Sequence, residues 1–109
     1  PPLFGFPSRR DWNAINDFIN EQNQIRGEDY KYISNEAKTI TEKYMDAGYG
    51  IHGSGGVYAI GIKNPVSLRY DWNFPQYGGK ETVYEYENDL GETVVRIYRL
   101  TPEDLEEYR

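Results

Sequence analysis

Cysteine is absent, which excludes a disulfide framework, a thiolate metal site and a thiol nucleophile, and leaves the redox compartment unread. Histidine occurs once, at position 52, so a metal centre would have to be built almost entirely from carboxylates. The acidic run "ENDLGE" (87–92) lacks the alternating ligand spacing of a calcium loop and reads as a hairpin turn. No metal and no cofactor are therefore expected. No apolar run approaches the length of a membrane span and no secretory leader is read, so a soluble protein without a membrane partner is the expectation. Basic residues are also scarce: 12 against 18 acids, for a formal charge of −6. The excess amounts to −2 over residues 28–56 and −4 over residues 57–109. A duplex binder neutralises phosphates with Lys and Arg, so no duplex nucleic-acid partner is expected, and a basic protein is the better match.

What the sequence has in surplus is tyrosine. Eleven tyrosines, four phenylalanines and two tryptophans in 109 residues exclude disorder and suit a sheet that meets both a core and water. The length predicts a single domain, 1–109, with one core.

Residues 1–8, "PPLFGFPS", carry three prolines and read as an extended segment. Ser8 and Asp11 then form a variant of the capping box, and Trp12, Ile15, Phe18, Ile19 and Ile25 recur at helical spacing up to the stop at Gly27. The spacing predicts a helix over 9–26. A second helix is predicted over 34–47, with Ile33, Ala37, Ile40, Tyr44 and Met45 as its apolar side and "GEDYKY" as the connection, giving a helical pair over 9–47. From Val57 the period changes to two. Strands are predicted at 57–62, 66–72, 82–87 and 93–100, joined by short loops, with Gly91 at the positive-φ position of the last hairpin. Thr101 and Pro102 open a short closing helix over 101–109. The fold class is thus α+β: two N-terminal helices packed on one face of a four-stranded antiparallel meander (57–100), with a short C-terminal helix.

The stretch "YGIHGSGG" (49–56) joins the second helix to the first strand and is read chiefly as a connection. Alanine at Gly53 or Gly55 is expected to cost about 1 kcal/mol or more per site if φ is positive there. The functional alternative makes His52 an acid-base group with Ser54 as a side-chain donor. The triplet His52-Gly53-Ser54 resembles a short motif of the ADP-ribosyltransferases, whose histidine holds the NAD ribose. Helices followed by an antiparallel meander resemble the ribonuclease toxins of the barnase and colicin type, which work from the exposed face of the sheet. That resemblance implies His52, Arg69, Glu85, Arg96 and Tyr98 as catalytic candidates, although the −4 charge of this half departs from it.

The predicted sheet suggests a different use. Strict alternation puts Thr82, Tyr84 and Tyr86 on one face of their strand and Val83, Glu85 and Glu87 on the other. Glu85 or Glu87 beside Arg96 or Arg99 would form cross-strand ion pairs. Tyrosines among carboxylates suit protein recognition, and "DWNFPQYGG" adds loop aromatics. The partner-binding residues are accordingly read as Tyr70, Trp72, Phe74, Tyr77, Tyr84, Glu85, Tyr86 and Glu87. The function expected first is a non-enzymatic module that binds a basic protein, as an inhibitor or immunity protein does, or a subunit of an assembly such as a viral particle. The alternative is a toxin-like hydrolase acting on RNA or NAD, with His52 as its acid-base residue.

Overall fold

The structure, a computed structural model, describes residues 9–51, 55–63, 77, 79–87 and 89–107. Among the described residues it is an α+β arrangement of three helices and a four-stranded mixed sheet. In chain order the elements are α1 (Arg9–Arg26), β1 (Lys31–Ser34), α2 (Lys38–Thr41), β2 (Val57–Ile62), β3 (Glu81–Glu87), β4 (Thr93–Leu100) and α3 (Pro102–Glu106). The strand order is β1-β2-β4-β3, with β1 parallel to β2 and both other pairs antiparallel. The predicted strand over 66–72 lies outside the described residues.

Helix α1 forms where its apolar spacing places it. Trp12, Ile15 and Ile19 are buried in the main core, whereas Ile25, rotated off that stripe, is 69% exposed. The helix ends in a Schellman turn. Gly27 sits at φ 65°, its N–H donates to Gln24 O, and the Glu28 N–H reaches back to Asn23 O. Three asparagines on one flank then tie the chain to the helix. Asn23 holds both the N–H and the carbonyl of Tyr30, and Asn16 and Asn20 donate to the Asp46 carboxylate.

These amide bonds hold the Asp46 carboxyl below its ordinary value of 3.8, with Asn16 the larger cause and Asn20 the next. The Asp104 carboxyl is depressed as well, chiefly by the Thr101 backbone N–H. A depressed carboxylate contributes stability that is fully present above its unfolded-state value and lost as pH falls through the folded one. Stability is therefore expected to fall on acidification below about pH 4, and Asp46→Asn should flatten that limb of an acid-unfolding curve.

The second predicted helix is corrected. Residues 31–34 form a strand, and only Lys38–Thr41 is helical. One local bond, one long-range pairing and an extended residue explain it. Ser34 Oγ accepts the Glu36 N–H, Asn35 pairs through both side-chain atoms with the Ile62 backbone, and Ala37 is extended at ψ 134°. Side chains that bond nearby backbone compete with the helix ladder. The crossover from β1 through α2 to β2 is what makes this pair parallel, so the sheet is mixed and not a meander.

Nor is the sheet covered on one face alone. Tyr58, Ile60, Ile62, Val95 and Ile97 pack with α1, Tyr32 and Met45, while Val57, Ala59, Tyr98 and Leu100 pack on the other side with Tyr77 and Leu105 of α3. β2 and β4 lie in the middle and are buried on both faces, which explains the continuous apolar run "VYAIGI". α3 is capped as its sequence suggests, with Thr101 and Asp104 forming a reciprocal box and Pro102 in the first turn.

Two buried tyrosines make a controlled comparison. Tyr32 Oη bonds Thr41 Oγ1 at 2.8 Å within the core, whereas the fully buried Tyr58 hydroxyl has no hydrogen-bond partner among the described residues. Tyr32→Phe is expected to lower stability by about 1 kcal/mol in urea unfolding. Tyr58→Phe removes an unsatisfied group, so its midpoint should match or exceed the parent's.

Candidate interaction surface

β3 is the outer member of the four described strands, and two register shifts decide what it presents. Val83 is an extra residue on β3 and Val94 an extra residue on β4, so each strand carries one bulge. The first bulge brings Val83 and Tyr84 together against the main core, where Tyr84 meets Phe18 at 5.0 Å between ring centroids. The second lets Val94 and Val95 both enter that core. Strict alternation therefore fails around Val83: Val83 does not share the face of Glu85, and Thr82, opposite Tyr98, does not share the face of Tyr84, which is half-buried.

What remains outside is acidic. Between Glu81 and Val95 there are five acids and no basic residue. Glu81 is met by Arg26 at 3.9 Å, Glu85 by Arg96 at 3.0 Å and Glu92 by Lys63 at 3.0 Å. Glu87 and Asp89 form no ion pair among the described residues. Beside them Tyr86 is 43% exposed, and Leu90, at the hairpin tip before Gly91 (φ 78°), is 82% exposed. The expected cross-strand pair is thus found for Glu85 and Arg96, which face each other in register.

Arg96 and Tyr98 share the face of the sheet turned away from α1, so three of the catalytic candidates, Glu85, Arg96 and Tyr98, come together there. Burial alone would lower the Arg96 pKa, but the Tyr98 hydroxyl and the Glu85 carboxylate outweigh it and hold the guanidinium above its ordinary value. Tyr98 itself is buried and packs edge-on against Tyr77 at 6.4 Å. Tyr77, expected among loop aromatics, is a core residue and offers no surface. His52, Ser54, Arg69, Tyr70, Trp72 and Phe74 lie outside the described residues.

A second polar cluster, on the α1 side of β4, was not legible in the sequence. Arg99 Nη2 donates to Glu28 Oε2 and, at 3.4 Å, to Tyr30 Oη, and the guanidinium lies over the Tyr30 ring at 4.9 Å. The Arg99 and Glu28 side chains are only 11% and 22% exposed. Burial works against the charge on Arg99, yet Tyr30 and Glu28 hold its pKa above the ordinary value. The Tyr58 hydroxyl lies within electrostatic reach of this guanidinium but outside hydrogen-bonding geometry, and burial raises its pKa. The one sequence signal was the alternation in "YKY", which exposes Lys31 and buries Tyr30 and Tyr32.

The described part of "YGIHGSGG" is built into the sheet. Tyr49 forms an isolated parallel bridge with Tyr32, and the Gly56 carbonyl accepts the Lys31 N–H. Gly55 has no left-handed φ, and a Cβ there would only touch Asp29 O at 3.7 Å, so the expected penalty at this position is corrected. Gly56 is the constrained residue.

Among the described residues no group of three or more His, Asp or Glu side chains could hold a metal ion. Nor, among them, is any helix long and apolar enough to cross a membrane. The chain matches no protein-family model, no curated protein and no solved structure.

Proposed function

We propose that the chain is a non-enzymatic protein-binding module that recognises a basic partner through its β3–β4 hairpin. One observation carries this reading: the hairpin combines Glu87 and Asp89, which form no ion pair among the described residues, with the exposed apolar surface of Tyr86 and Leu90. Exposed carboxylates steer an oppositely charged partner and reject like-charged ones, while a tyrosine and an aliphatic tip supply area to desolvate. An inhibitor of a basic enzyme and a subunit of a larger assembly are two settings for such a surface.

The test is co-purification from the cells that make the protein. The parent is compared with a Glu87→Lys, Asp89→Lys, Leu90→Ser variant whose folding is verified by circular dichroism. A basic protein retained by the parent, and lost from the variant and at high salt, is the expected outcome. Sizing chromatography of the complex then separates a one-to-one inhibitor from an assembly subunit. Equal retention by both baits overturns the reading.

A second reading, a hydrolase acting on RNA or NAD, is favoured by the juxtaposition of Glu85, Arg96 and Tyr98 on one face. It requires His52 as the acid-base group. Toxicity on expression in a bacterial host, abolished by His52→Ala with the melting temperature unchanged, would support it. A His52→Ala protein as toxic as the parent would eliminate it.

A further inference from the structure

We draw no further inference here: the strongest candidate, the Glu28–Tyr30–Tyr58–Arg99 cluster between the end of α1 and the sheet, leaves Glu28 Oε1, Tyr58 Oη and Arg99 Nε without partners among the described residues, but these atoms are enclosed by the protein itself and nothing in the structure shows a ligand or partner that reaches them.

Discussion

Replacing Gly56 by alanine is expected to destabilise the protein by about 3 kcal/mol. Gly56 lies immediately before β2, where the Leu100 carbonyl and the ring of Tyr30 close over its backbone. A Cβ added here would fall inside the van der Waals envelope of both. The carbonyl belongs to the end of β4, which is paired with β2, so it cannot give way without breaking sheet hydrogen bonds. Tyr30 is held from behind by Asn23 and by the Arg99 guanidinium. The neighbouring Gly55→Ala variant provides the control, and its stability should stay within ~0.5 kcal/mol of the parent. Urea unfolding of the two variants gives the comparison. Equal stability for both would mean that β2 does not enter the sheet beneath Tyr30 as described.

Arg99→Met is expected to cost about 3 kcal/mol, because it strands the Glu28 carboxylate in a largely enclosed site. The loss comes from an uncompensated charge more than from a missing attraction, and this has a measurable consequence. Removing both partners, as Glu28→Leu with Arg99→Met, should restore most of the stability lost in the single variant. Single and double variants compared by urea unfolding decide the matter. If the double variant is less stable than Arg99→Met alone, the pair contributes net attraction and the expectation is wrong.

The elements that were legible in the sequence are those specified by neighbours. Trp12, Ile15 and Ile19 write a helical period that local hydrogen bonds can satisfy, and Gly27 ends it. The β3–β4 hairpin follows from a short connection and α3 from Thr101 and Pro102, whereas the choice of Glu85 with Arg96 among the possible cross-strand pairs is made by the bulge at Val94. The helix expected over 34–47 is not found at that length because "YKYISNEAKTITEKYM" (30–45) satisfies a helical period as well as a period of two. The choice fell to contacts far along the chain: Asn35 to Ile62, and β1 to β2. Glu28 and Arg99 are 71 residues apart, and only the parallel crossover brings them into one cluster. The bulges at Val83 and Val94 were equally invisible, since each follows from how two strands fit the core and not from either strand alone.

The role of the acidic hairpin is tested most directly by the dissociation constant of the captured partner, measured against salt concentration. The parent is compared with the Glu87→Lys, Asp89→Lys, Leu90→Ser variant under the same conditions. The expected result is at least ~10-fold weaker binding by the variant at low salt, and a shallower salt dependence than the parent shows. A variant that binds the same partner as tightly as the parent at every salt concentration would contradict the assignment of this surface.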